Sequence, residues 1–427
     1  MKKIVTLILA LALIASVAIG LVACGNATEA TEIEMPAYDP TVAGIEIPAD
    51  FKIGLICLHD ESSTYDLNFI NSAKSAVRAL GMDDSQLIIK TGIAEEGTAC
   101  YDTAKDLVNN YHCKVVFADS FGHEASMIQA AKEFPNVEFC HATGTNAHTE
   151  NLANYHNAFA SIFEGRYLAG IAAGMKLNEM IAAGKITADK AVMGYVGAYP
   201  YEEVKSGYTS FYLGAKSVCP SVTMKVQFTG SWYDVTLEKT AAENLIAQGC
   251  VLISQHADSM GAPSACEKAG VPNVSYNGST ISACPETFIV SSRIDWAPYF
   301  KGIIAVGSGA AGENAKIPTD YTGSFATGSV VLTGINGDVA AEGTLKAIIK
   351  ARNELVAGTI KVFDLSKFTV NGQPLATDYQ ANVDSDENYA ADTVVIKTAN
   401  GITYFAESEF RSAPYFGIDI DGITIIE

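Results

Sequence analysis

The chain has 427 residues, 48% of them hydrophobic, and a formal net charge of −20 at pH 7. That length exceeds one ordinary domain, and the apolar content is that of a globular chain and not a disordered one. The acidic balance argues against a nucleic-acid partner, which needs clustered Lys and Arg, and no basic run is longer than Lys2-Lys3.

Residues 1–23 read as a secretory signal. Lys2 and Lys3 precede the apolar core IVTLILALALIASVAIG, which runs into Leu21-Val22-Ala23-Cys24. That ending resembles a lipobox, in which Cys24 is acylated and becomes the new N-terminus. The alternative is an N-terminal transmembrane anchor, for which the span from Lys3 to Cys24 is barely long enough. Residues 24–47 are small and acidic with two prolines, Pro36 and Pro40, and read as a tether. The expected location is the extracytoplasmic face of a cell membrane, held by lipid. Of nine cysteines, the eight beyond Cys24 are expected as free, buried thiols, because a large core needs no staples.

From residue 51 short apolar runs alternate with segments of helical period. FKIGLICL is a strand, and YDLNFINSAKSAVRAL places Tyr65, Phe69, Ala73, Ala76, Val77 and Leu80 on one helical face. QLIIKTGI, KVVFADS, VEFCHATG and NLANYHNAF follow as strands. ACYDTAKDLVNNY and HEASMIQAAKEF are helices between the earlier of them, the second stopped by Pro135. FASIFEGRYLAGIAAGMKLNEM is a long apolar helix. The alternation then restarts with strands AVMGYVGAY, TMKVQFTGS, VLISQH, NVSYNG and TFIVSS and helices VKSGYTSFYLGAK, VTLEKTAAENLIAQ and SACEKA. Two such units predict two doubly wound, parallel-sheet lobes around a cleft. SVVLTGI and GDVAAEGTLKAIIKARNELVAG still fit an α/β core. Residues 372–427 read as a β appendage packed on one lobe, with Asn400-Gly401 as a hairpin turn.

Ligands of open parallel sheets bind beyond the carboxyl ends of the strands. The residues that follow the predicted strands are His59 and Asp60 with Asp66, Asn68 and Phe69; Asp119 and Phe121; Trp232 and Asp234; His256 and Asp258; Asn277; and Arg293. Flat rings such as Phe69 and Trp232 can sandwich a planar heterocycle. Carboxylates and amides accept hydrogen bonds from hydroxyls and ring N–H groups. A purine nucleoside offers both. The plainer reading of Asp66 and Asp234 is that they cap helices.

Asp66-x-x-Phe69, Phe159-x-x-x-x-Glu164-Gly165-x-Tyr167-Leu168-Ala169-Gly170 and Gly230-Ser231-Trp232-Tyr233-Asp234 resemble the basic membrane protein family, lipoprotein receptors of ABC importers similar to purine-nucleoside receptors. The resemblance runs from about Phe51 to Leu355. It implies a type I periplasmic-binding-protein fold with three interlobe crossovers: 48–158 and 290–325 in lobe 1, 159–289 and 326–371 in lobe 2. It implies a nucleoside clamped between one ring from each lobe, Phe69 and Trp232, the latter in place of the family's usual Phe. Asp119 lies near an acid that binds ligand in relatives, and Asn277 stands where relatives often have a ribose-binding Asp. Ile70 departs from the family's usual Asn. A cleft Lys of some relatives has Arg293 only as a neighbour.

Other chemistries fit less well. GSGAAG at 307–312 matches the dinucleotide pattern of glycines, but Pro318 and turn residues follow instead of a helix, so it reads as the end of helix APYFKGIIAVGSG. The histidines lack metal-ligand spacing, and no Gly-x-Ser-x-Gly elbow is present. The expectation is therefore a receptor, not an enzyme, with no metal or cofactor. It is a monomer whose partners are a nucleoside, an ABC permease with its ATPase, and the membrane. The alternatives are a surface enzyme acting on nucleosides and a receptor for a sugar or free base.

Overall fold

The computed structural model describes residues 45–383 and 390–426. Cys24, the signal and most of the tether lie outside the described residues. The first unit runs β1 (Ile53–Ile56), α1 (Thr64–Ala79), β2 (Leu87–Lys90), α2 (Ala99–Asn109), β3 (Val115–Ala118), α3 (Glu124–Glu133), β4 (Glu138–Ala142), α4 (Ala147–Glu150) and β5 (Tyr155–Ala160). The second runs α5 (Ile162–Ala182), β6 (Val192–Gly197), α6 (Glu202–Val218), β7 (Thr223–Phe228), α7 (Val235–Ala247), β8 (Leu252–His256), α8 (Gly261–Ala269), β9 (Asn273–Tyr276) and β10 (Phe288–Ile294). Then come α9 (Ala297–Gly307), β11 (Asp320–Gly323), β12 (Val330–Leu332), α10 (Thr344–Val356), β13 (Gln380–Ala381), β14 (Thr393–Val394), β15 (Ile396–Ala399), β16 (Ile402–Phe405) and β17 (Ile423–Ile426).

The strands form a six-stranded sheet ordered β11-β5-β4-β3-β1-β2 and a seven-stranded sheet ordered β12-β10-β9-β8-β6-β7-β17. Strands β1 and β3 are buried along their whole length, which explains their unbroken apolar runs: helices cover both faces of a parallel sheet. The chain crosses between the sheets three times, from β5 to α5, from β10 to α9, and from β11 to β12.

Several expectations need correction. β10 pairs with β9 in the second sheet, so the boundary expected at residue 290 falls inside a strand of lobe 2. β12 runs antiparallel to β10, so that sheet is mixed. β11, part of the polar stretch read as turns, pairs with β5 at the edge of the first sheet. The C-terminal appendage does not rest on one lobe. Its last strand, β17, extends the second sheet beside β7, while the Ser412 N–H donates to Asp320 Oδ2 of β11 at 2.7 Å. The Asn400-Gly401 hairpin forms as expected, with φ of 52° and 79°, both in the left-handed region that a tight two-residue turn requires.

The stretch Glu164–Gly170 is a packing device. α5 and α6 lie so close that a Cβ on Gly170 would collide with the Phe211 carbonyl oxygen, and one on Gly214 with that of Tyr167. Glycine alone permits that approach. GSGAAG ends α9, with Gly309 and Gly312 at φ of 78° and 93°, and opens no helix. All eight described cysteines are buried and unbridged.

Candidate functional site

The carboxyl ends of the two sheets face each other across a narrow cleft with about 20 Å³ of free space, so the lobes stand nearly closed on one another. The first unit contributes Leu58, His59, Tyr65, Asp66, Ser120, Phe121 and Thr143; the second contributes Glu203, Trp232, His256, Asp258 and Asn277. The lobes touch. Thr64 donates its backbone N–H to the Asp258 carbonyl at 2.9 Å, and Phe121 stacks on Tyr201 with centroids 5.5 Å apart. Outside that ring pair lies a larger chamber of about 230 Å³, bordered by Arg411 and Pro414 of the C-terminal segment.

The entry to α1 sets the floor. Ser63 is the N-cap and accepts from the Asp66 N–H, and its hydroxyl donates to Asp66 Oδ2 at 2.6 Å. Asp66 Oδ1 accepts the His59 N–H at 2.8 Å. Burial alone would raise the Asp66 pKa, but the hydrogen bonds from His59 and Ser63 outweigh it and hold the carboxyl below its ordinary range. Asp119 and Asp258 behave oppositely. Burial first, then the charge of Asp66, pushes Asp119 well up. Burial first, then Glu238 and Asp66, does the same to Asp258. Asp66 therefore favours the carboxylate and the other two the acid.

Asn277, at φ 65°, donates through Nδ2 to Asp258 Oδ1 at 2.9 Å. The left-handed backbone tolerated by Asn turns the chain directly at the end of β9. Trp232 meets the Tyr199 ring edge-on at 5.1 Å. Among the described residues, no Lys or Arg is in the lining.

Of the residues expected from sequence, Asp66, Phe121, Trp232, Asp258 and Asn277 line this cleft. Phe69 does not. It is fully buried and stacks on Trp296 at 4.4 Å; Tyr65, one turn earlier on the same helix, lies edge-on above it at 4.9 Å and reaches the cleft. Asp119 lies beneath the floor, its Oδ1 accepting the Leu58 N–H at 3.2 Å. Asp234 caps α7, accepting from the N–H groups of Thr236 and Leu237 at 2.9 and 2.8 Å. Asn68 donates to the Ile294 carbonyl at 2.7 Å and Arg293 to Asn68 Oδ1 at 3.4 Å; both border a separate opening beside the β10 crossover.

Tyr65 and Glu203 line the cleft although neither was expected there, and His256, expected only as a strand-exit residue, joins them. The strand-exit rule applied to β6 leads directly to Tyr199, Tyr201 and Glu203. Among the described residues, Cys57, Asp66 and Asp119 bring donor atoms within 4.8 Å of one another. Burial pushes the Cys57 thiol and the Asp119 carboxyl well up, which disfavours the anionic form that a metal ligand needs at two of the three positions.

Comparison with known proteins agrees with this architecture. A purine-binding protein of Brucella abortus is 35% identical over 187 residues, covering 44% of this chain and 49% of that protein. TsgA13 of Haloferax volcanii, named as a candidate ABC transporter glucose-binding protein, is 34% identical over 186 residues, 44% of each. The chain thus spans about half the length of these curated relatives. An ABC transporter solute-binding protein of Aeropyrum pernix has the same fold, with a TM-score of 0.60 at 14% identity over 73% of this chain and 93% of that one. The fold is the α/β type I periplasmic-binding-protein fold. Residues 53–312 match the family described as ABC transporter substrate-binding protein, PnrA-like, and the chain belongs to that family.

Proposed function

We propose that this protein is an extracytoplasmic receptor that binds a nucleoside, in the first instance a purine nucleoside, in the interlobe cleft and delivers it to an ABC permease and its ATPase. The observation that carries the reading is the composition of the wall. Asp66, Glu203, Asp258 and Asn277 surround the space together with the rings of Tyr65 and Trp232, and no Lys or Arg lines it. Rings stack on a flat base, and carboxylates accept from ribose hydroxyls and base N–H groups. A phosphorylated solute would find no Lys or Arg in that lining to answer its charge. The purine-binding relative supports the same class.

Binding and lobe closure suffice for this role, with ligand favouring the closed state, and no catalytic step is invoked. The ring pair is Tyr65 and Trp232 in this reading, with Phe69 supporting Tyr65 from below. The protein acts as a monomer held to the membrane through a lipid on Cys24, a reading that rests on Leu21-Val22-Ala23-Cys24.

A second reading, a sugar receptor, is favoured by the name of the Haloferax relative. Calorimetry with adenosine, guanosine, inosine and glucose separates the two. The expected result is 1:1 binding of a nucleoside, no response to glucose, and intact nucleoside recovered afterwards. Glucose binding alone would establish the sugar reading, and release of free base would make the protein an enzyme.

A further inference from the structure

Arg166 lies in the open position of Glu164-Gly165-x-Tyr167 and is fully buried on α5. No carboxylate comes within ion-pair distance of it among the described residues. Its guanidinium lies over the rings of Tyr195, Phe211 and Tyr276 at 5.1 to 5.3 Å. It donates to the Ser275 carbonyl at 3.1 Å, to Ser254 Oγ at 2.9 Å and to the Tyr195 hydroxyl at 3.0 Å. A cation is costly in such a place unless its charge is answered elsewhere.

The Tyr195 hydroxyl leads outward. It lies 3.3 Å from His256 Nδ1, and His256 Nε2 faces Glu203 Oε1 at 3.5 Å. Glu203 lines the cleft. The proton assignment follows from donor capacity. Arg has donors only, so the Tyr195 oxygen accepts from it. The Tyr195 proton then has His256 Nδ1 as its acceptor, and a neutral ring that accepts at Nδ1 carries its proton on Nε2. Nε2 is the ring nitrogen nearer Glu203, 3.5 Å from its Oε1. Burial pushes His256 below its ordinary pKa, which keeps the ring neutral at pH 7.

We infer that Arg166, Tyr195 and His256 form a buried relay that holds Glu203 as an oriented acceptor in the cleft, making Glu203 the selector for ligands that present an N–H donor. The inference rests on the nucleoside reading and narrows it to bases that present an N–H donor, such as the exocyclic amine of adenosine. Arg166 and Tyr195 are positioning residues that never touch the ligand, and the positive charge of Arg166 balances that of Glu203 through the ring between them. A site whose acceptor is left unpaired rejects the ligand lacking the donor.

The test uses adenosine and purine riboside, which differ only in the exocyclic amine, with calorimetry on the wild type, Tyr195→Phe and Glu203→Gln. The wild type is expected to prefer adenosine at least tenfold, and both variants to lose most of that preference. Nitrogen-15 NMR of the His256 ring supplies a readout that a merely structural role would not move: the Nε2–H form in the wild type, and a mixture of tautomers in Tyr195→Phe. An unchanged tautomer in Tyr195→Phe, or an unchanged adenosine preference in both variants, overturns the inference. If the wild type binds neither nucleoside, the nucleoside reading fails, while the NMR comparison still decides whether the relay exists.

Discussion

Thr64 and Asp258 join the two lobes directly: the Thr64 backbone N–H and its hydroxyl reach the Asp258 carbonyl at 2.9 and 3.2 Å. Thr64 is the first residue of α1, and Asp258 follows β8 of the other lobe. Closure therefore places an α1 donor on a carbonyl at the rim of the site. Removing the hydroxyl in Thr64→Val should leave the backbone bond and cost about 0.5–1.5 kcal/mol of closed-state stability. The expected outcome is a dissociation constant raised roughly two- to tenfold, carried mainly by faster ligand release. Stopped-flow release kinetics measure it, and unchanged release would mean that the backbone bond alone holds the lobes.

Trp232 and Phe69 should separate binding from stability. Trp232 lines the cleft, so Trp232→Ala should weaken nucleoside binding by about 1–3 kcal/mol, the scale of a lost stacking partner, with the unfolding midpoint little changed. Phe69 lies against Phe117 and Trp296 in the core, so Phe69→Ala should cost about 3–5 kcal/mol of folding stability. Calorimetry and urea unfolding on both variants check the contrast. A Phe69→Ala protein that is fully stable but does not bind would restore Phe69 to the clamp.

The contrast marks what could be read from residues alone. Alternation of IGLI, VVFA and LISQH with helical segments determines a doubly wound sheet, because only helices on both faces let such strands be apolar throughout. Strand exits then locate the cleft. What residues alone leave open is which side of an exit helix faces the ligand. Tyr65 and Phe69 are four apart and share a face, yet Trp296, from a crossover more than two hundred residues later, covers one and leaves the other at the cleft. Asp234 was equally ambiguous, since a carboxylate at a helix start serves a cap or a ligand. β11 escaped because DYTG is short and polar, and only its edge pairing to β5 makes it a strand.

Membrane attachment is tested at Cys24. The reading of Leu21-Val22-Ala23-Cys24 as a lipobox predicts that Cys24→Ser yields protein without lipid that leaves the membrane fraction, since a single cysteine carries the anchor. Fractionation of cells expressing wild type and variant, with mass analysis of the N-terminal peptide, measures it. Membrane retention of the variant would favour the uncleaved apolar segment as anchor.

Glu407 predicts a pH dependence of stability. It is buried and accepts the Tyr415 N–H at 3.3 Å. Burial pushes its pKa from 4.5 up to about 8, against the opposing pull of Ser206, the Tyr415 N–H and Arg411. Between those two values the folded protein keeps a proton that the unfolded chain has released. Folding stability contributed by this group is therefore full below about pH 4.5 and declines as pH rises towards 8, by up to about 1.4 kcal/mol per pH unit. Glu407→Gln keeps an oxygen for the Tyr415 N–H and removes the titration. Urea unfolding at pH 5, 6.5 and 8 should show the wild type losing stability relative to the variant as pH rises. Parallel curves for the two proteins would mean that Glu407 ionises in the folded chain as readily as in the unfolded one.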